Sequence, residues 1–316
     1  AKFFAGPILL RKESKKISPA TSFDENNITY GLQRILLGLG KKIILADRLS
    51  PIVDNIFNSD PSNQNVFSIG VGSILFTLQM YLDFSAYSDI AIGSSRLFGI
   101  SLKENFNLPI TSSSISKYWR RTHISLIDWL TVHIYYPTVY WLRSNTTLSI
   151  VTAFAFTFIL SALWHGTRLG FIIWGTLNAA YLILEYYRNK IKIRKANSVL
   201  GWSLTFILIS FSNFFFRAQS GEKISEILQN ITQNNIFPNN WMIDFVSLIG
   251  NGGHLLEQYN LLETVSLVLL FFATERVIDK KAKSVKVSFT YISISLLLLF
   301  FFGNFNAGDE FIYVQF

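Results

Sequence analysis

Cysteine is absent from this 316-residue chain, which excludes disulfides and thiolate chemistry and leaves the redox compartment open. Histidine occurs only four times, at 123, 133, 165 and 254. His123 and His133 lie ten apart, not in the i, i+4 spacing of a helix-borne metal pair, and the carboxylates are scattered, so no metal site is expected. Charged residues are also scarce, at 15% of the chain; soluble domains carry about a quarter. No G-x-S-x-G elbow, P-loop or G-x-G-x-x-G run occurs, so Ser-His-Asp hydrolysis has no support. Neither a repeat of solenoid period nor a Pro- or Ser-rich linker is visible. One membrane-embedded domain over 1–316 is therefore the simplest organisation.

What replaces charge is apolar length. Uncharged runs cover 61–82, 144–164, 196–216 and 287–308, with a shorter one at 169–184. A helix needs roughly 20 apolar residues to cross a bilayer, so the chain reads as an all-α polytopic membrane protein. Hydrophobic segments fall at about 28–45, 66–88, 148–165, 169–187, 199–216, 259–275 and 288–304. The net charge of +8 comes from basic clusters beside these segments, so it reflects the positive-inside bias and not nucleic-acid binding. RKESKK (11–16), Arg96 to Arg121, Arg188 to Lys195 and Arg276 to Lys286 all fall on one side if the segments alternate, which assigns that side to the cytoplasm.

Two features break the alternation. Lys41, Lys42 and Arg48 fit a simple first span badly, which points to a re-entrant or interfacial segment. The stretch 101–143 is too polar to span simply, yet it carries Trp119, Trp129, Trp141 and a dense run of tyrosines, as interfacial and re-entrant helices do. The opening AKFFAGP has neither Met nor a signal-like pattern, so the chain is expected to be the later part of a longer protein whose first spans lie upstream.

The remaining chemistry is acid–base work by histidine. His165 ends an uncharged run in SALWHGTRLG (161–170), and titratable groups at membrane depth are costly enough to invite a functional reading. A neutral imidazole can accept a proton near neutral pH. The alternative is a capping or packing histidine beside the interfacial Trp164. His123 stands in WRRTHIS (119–125), flanked by Arg120 and Arg121, and charge alternation places it at the opposite face from His165. The two arginines suit either a phosphate or an ordinary membrane interface. Asp83 and Asp89 lie six apart with Tyr87 between them; a structural network with Arg96, Arg120 or Arg121 is expected over catalysis.

Six short motifs occur together and in order: AGPI (5–8), YLDFSAYSDIAIGSSRLFGI (81–100), NFNLP (105–109), YWRRTHISLIDWL (118–130), ALWHG (162–166) and FIYVQF (311–316). In this the chain resembles the membrane-bound O-acyltransferases, and most of all their alginate and peptidoglycan O-acetyltransferase branch. The resemblance implies a multi-helix bundle with a central tunnel and re-entrant or interfacial helices in a bacterial cytoplasmic membrane. It matches the family's essential histidine to His165 and its second functional histidine to His123. It implies an acyl thioester donor, with acetyl-CoA the expected one, and no bound cofactor. It also implies an extracytoplasmic glycan acceptor and a secreted or membrane-anchored hydrolase-like partner. In this reading His165 is the general base, and His123 positions the thioester carbonyl or stabilises its oxyanion. Arg120 and Arg121 hold the donor's phosphates, while Asp83, Tyr87, Asp89 and Trp164 shape the surrounding helices. The sequence departs from the family at 129–137, WLTVHIYYP, where Thr131 and Val132 replace an Arg-Asp pair. Three rivals carry other expectations: a D-alanyl transfer protein of teichoic acid modification, a lipid O-acyltransferase, and a transporter or flippase relaying protons through His123 and His165.

Overall fold

The structure, a computed structural model, describes residues 24–192, 197–236 and 264–269, with single positions 271, 296, 298, 302 and 303. Among the described residues every regular element is helical. The segments expected at 259–275 and 288–304 lie largely outside them, as do the motifs at 5–8 and 311–316 and the basic clusters at 11–16 and 276–286.

Among the described residues four helices are long and apolar enough to cross a membrane: Val66–Leu97, Thr146–His165, Leu169–Lys190 and Ser198–Ala218. The protein is therefore all-α and polytopic, as composition implies. Asparagine starts three of them. Asn65, Asn145 and Asn197 each accept a hydrogen bond from the backbone N–H three residues on, at 2.9, 3.0 and 2.8 Å. These bonds satisfy donors that the helix itself leaves unpaired.

Chain contacts divide the described residues into two units. In the first, covering 24–102 and positions after 228, α1 (Glu25–Leu39) continues through a π-helical turn, Gly40–Ala46, into α2 (Asp47–Phe57). The long span α3 (Val66–Leu97) packs against this bent helix. The approach is close because glycine meets glycine: a Cβ on Gly93 would stand 2.6 Å from the Gly31 carbonyl oxygen.

Close packing buries a set of charges. Asp89 pairs with Arg34 at 2.7 Å and with Lys41 at 2.9 Å. Lys42 pairs with Asp83 and with Asp47, both at 2.8 Å. Arg48 donates to the Phe302 carbonyl at 2.8 Å. Arg34, Lys41 and Lys42 thus neutralise the aspartates, in place of the expected Arg96, Arg120 or Arg121. The lysines that fit a simple span badly are buried partners of α3. The same pairing lets α3 run on to Leu97, past the end at 88 that its apolar residues suggest. Tyr87 lies half-buried on α3 between the two aspartates.

The second unit, covering 103–192 and 197–228, is built on three antiparallel spans. They follow the short helices α4 (Ile115–Trp119), α5 (Ile124–Leu130) and α6 (Tyr136–Trp141), with π-helical Thr131–Tyr135 joining α5 to α6. The spans are α7 (Thr146–His165), α8 (Leu169–Lys190) and α9 (Ser198–Ala218), and α10 (Gly221–Gln233) follows. Near its end α8 anchors the start of α7, through Lys190 Nζ donating to Thr147 Oγ1 at 2.6 Å.

Candidate active site

The polar, aromatic stretch before α7 takes a re-entrant path through the second unit. Its tip touches the start of α9, where Trp202 Nε1 donates to the Ile110 carbonyl at 2.7 Å. From there it runs along α8 in reverse. Glu185 accepts the Ser116 N–H at 3.0 Å, and Trp119 Nε1 donates to Asn178 Oδ1 at 3.2 Å. The climb ends at His123, whose ring centroid lies 6.1 Å from that of Trp164 near the end of α7. The chain then turns back along α7, with Tyr135 against Phe154 at 5.2 Å. The stretch 101–143, expected to be interfacial or re-entrant, forms such an excursion and not a span.

This path corrects the placement of WRRTHIS. Charge alternation puts His123 at the basic end of the spans, opposite His165. The fold carries it to the other end of α7, because hydrogen bonds to α8 draw the segment inward despite its arginines. His123 and His165 consequently share one neighbour: the Trp164 indole lies 5.0 Å from His165, centroid to centroid.

His165 is the last residue of α7, and Gly166, at φ +143°, stops the helix in a conformation that a Cβ would strain. The imidazole is buried among aromatic rings. Trp174 lies edge-on at 5.4 Å, Phe216 at 5.1 Å and Phe171 at 6.2 Å. Trp174 is itself pinned, donating Nε1 to Asn213 Oδ1 at 3.2 Å. Asn178 ties the same layer together, donating to the Trp174 carbonyl at 2.9 Å and to Ser212 Oγ at 3.2 Å. The histidine thus sits in an apolar cage whose walls are held by buried amides.

His123 precedes α5 in a left-handed conformation, φ +43°, that non-glycine residues adopt at a cost. Asn105 holds it there. The Asn105 carbonyl accepts the Ile124 N–H at 2.9 Å, and its side-chain Oδ1 accepts Ser125 N–H at 3.1 Å and Ser125 Oγ at 2.8 Å. His123 Nδ1 lies 3.3 Å from the same oxygen. Burial, reinforced by nearby His165, pushes the His123 imidazole down to about 3, so it is neutral at physiological pH.

The two arginines differ. Arg120 is exposed, whereas Arg121 is partly buried and donates to Thr111 Oγ1 at 3.3 Å. Asp83, Tyr87 and Asp89 belong to the other unit, where the aspartates neutralise lysines and an arginine. No cluster of three or more His, Asp or Glu able to hold a metal occurs among the described residues. Sequence reasoning missed Asn105, Ser125, Phe171, Trp174 and Phe216. Asn105 and Ser125 left a signal, as the first residue of NFNLP and the last of WRRTHIS, but neither had an assigned role.

The sequence profile of the membrane-bound O-acyltransferase family matches residues 1–197, a range that contains both histidines. The chain belongs to the membrane-bound O-acyltransferase family. Among curated members of this family or its relatives, a probable alginate O-acetylase AlgI from Azotobacter vinelandii is 35% identical over 219 residues, 68% of this chain and 42% of the relative. A peptidoglycan O-acetyltransferase from Helicobacter pylori is 31% identical over 240 residues, 73% of this chain and 44% of the relative. A teichoic acid D-alanyltransferase from Bacillus subtilis is 27% identical over 203 residues, 59% of this chain and 50% of the relative. The chain spans less than half the length of the O-acetylating relatives it matches.

Proposed function

We propose that this membrane protein is an O-acetyltransferase that carries an acetyl group from a cytoplasmic thioester, acetyl-CoA, to hydroxyls of an extracytoplasmic polysaccharide. The observation that supports this most is the convergence of His123 and His165 on the Trp164 indole, inside a family of O-acyltransferases. His165 acts as general base. It accepts the proton of the attacking hydroxyl as oxygen bonds to the thioester carbonyl carbon; collapse of the tetrahedral intermediate breaks the C–S bond, and the proton passes to the departing thiolate. General-base help of this kind is worth roughly 10²–10⁴-fold in rate. The aromatic cage excludes water, which protects the thioester from hydrolysis.

His123 orients the reacting groups beside this base. Arg120, exposed, contacts the donor's phosphates, with Arg121 as a second contact. Asp83, Tyr87 and Asp89 keep a structural role. A tunnel joining the two faces, a bacterial cytoplasmic membrane and a hydrolase-like partner that completes transfer to the glycan all form part of the proposal. The bacterial sources and names of the relatives support an envelope polysaccharide as acceptor.

The test is thiol release from acetyl-CoA by the complete gene product in membranes, alongside a D-alanyl carrier thioester. Release from acetyl-CoA supports the proposal. Release from the D-alanyl donor alone favours the teichoic acid reading, and release from neither favours a transporter.

A further inference from the structure

The Asn105 side chain does more than close a loop. A backbone N–H can only donate, so the Asn105 atom that receives the Ser125 N–H at 3.1 Å is the amide oxygen and not its nitrogen. Ser125 Oγ at 2.8 Å is then a donor to it as well. His123 Nδ1 stands 3.3 Å from that same oxygen. Two lone pairs facing each other at this distance would repel, so Nδ1 carries the hydrogen. A neutral imidazole has one N–H. With that hydrogen at Nδ1, Nε2 is the acceptor nitrogen.

We infer that Asn105 is a positioning residue which fixes His123 in the Nδ1–H tautomer and leaves Nε2 as the hydrogen-bond acceptor of the ring. Backbone pairing holds the two residues in register. The Asn105 carbonyl accepts the Ile124 N–H at 2.9 Å, and the Arg121 carbonyl accepts the Asn107 N–H at 2.9 Å. Asn105 is 1% exposed and His123 3% exposed, so water does not compete for the bond. The left-handed backbone at His123 aims the ring, and Asn105 sets which nitrogen bears hydrogen. One consequence is specific: a neutral His123 cannot donate from Nε2 to an oxyanion. Oxyanion stabilisation therefore falls to other groups, and the hydrogen of the attacking hydroxyl stays with His165.

The catalytic consequence rests on the acyl-transfer reading, whereas the tautomer does not. Histidine ¹⁵N chemical shifts separate the two neutral tautomers, and in the complete gene product with ¹⁵N-labelled histidine the His123→Gln variant assigns the signal. The wild-type protein and the Asn105→Asp variant, which keeps an acceptor oxygen, are expected in the Nδ1–H form. Asn105→Leu, which removes the acceptor, is expected to gain the Nε2–H form and to lose about 10²-fold or more in kcat, with Asn105→Asp recovering most of that loss. A wild-type Nε2–H signal overturns the inference. So does an Asn105→Asp protein that has lost the Nδ1–H form, an arm that stands even where Asn105→Leu does not fold. If no variant and no wild-type protein transfers acetyl, the function proposal fails while the tautomer signal still decides the role of Asn105.

Discussion

The His123 imidazole and the Trp164 indole lie 6.1 Å apart, centroid to centroid, although 41 positions separate them in the chain (164 − 123). The excursion that produces this contact brings the one histidine before α5 to the cage of the other. The proposed reaction needs a proton acceptor and a positioning group near one acyl donor, and this contact is what the proposal rests on.

Acid should weaken the fold through His123. The folded state keeps it neutral down to about pH 3, whereas the unfolded chain takes up a proton below about 6.5. Between those values the unfolded state binds more protons, so stability is fully present above pH 6.5 and falls as pH drops toward 3. At pH 5 the expected loss from this residue is about 2 kcal/mol relative to pH 7. Thermal unfolding of detergent-solubilised protein at both pH values checks it: the wild type should lose more Tm than His123→Gln, and equal losses would remove the explanation.

Breaking the buried pair between the π-helical turn and α3 should be expensive. Lys42 and Asp83 are 9% and 1% exposed at the side chain, so Asp83→Ala leaves an ammonium short of a partner in an apolar setting. The expected cost is about 3–5 kcal/mol, with partial recovery in a Lys42→Met, Asp83→Leu double variant. Chemical denaturation in mixed micelles measures both. A single variant as stable as the wild type contradicts the network.

These charges also show where sequence reading stops. The spans were legible because apolar length and the absence of charge are local properties, and the Asn caps fall within about two residues of the apolar boundaries. Lys41 and Lys42 mark an irregular first segment in the sequence, but their partners are not legible there, because Lys41 pairs with Asp89 far along the chain. His165 and His123 were found through motif resemblance. Trp174 and Phe216 were not, because their contacts with His165 are made only across folded helices.

Helix α8 should tolerate no side chain at Gly170. A Cβ there would lie 2.3 Å from the Phe215 carbonyl oxygen and 2.7 Å from that of Gln219, and both are backbone atoms that cannot swing away. Gly170→Ala is expected to destabilise by about 1–3 kcal/mol through overpacking. Gly70→Ala on α3 meets nothing within 4 Å and is expected to be neutral or to stabilise by up to about 1 kcal/mol. Paired unfolding curves test the contrast, and similar behaviour of the two variants would argue against the α8–α9 packing.

Arg120 and Arg121 should separate kinetically. Exposed Arg120 is expected to affect donor KM when changed to Ala, with stability moved by less than about 0.5 kcal/mol. Arg121, which holds Thr111, is expected to lower stability as well. Steady-state kinetics against donor concentration decides this. An unchanged donor KM in the Arg120→Ala, Arg121→Ala double variant would remove phosphate binding from the account.

The most direct measurement is acetylation of the native envelope polysaccharide in cells whose complete gene product carries His165→Ala at unchanged expression. The proposal predicts loss of polysaccharide acetate by 10²-fold or more, about the contribution of a general base. Acetylation near the wild-type level would contradict the assignment of His165 as the proton acceptor.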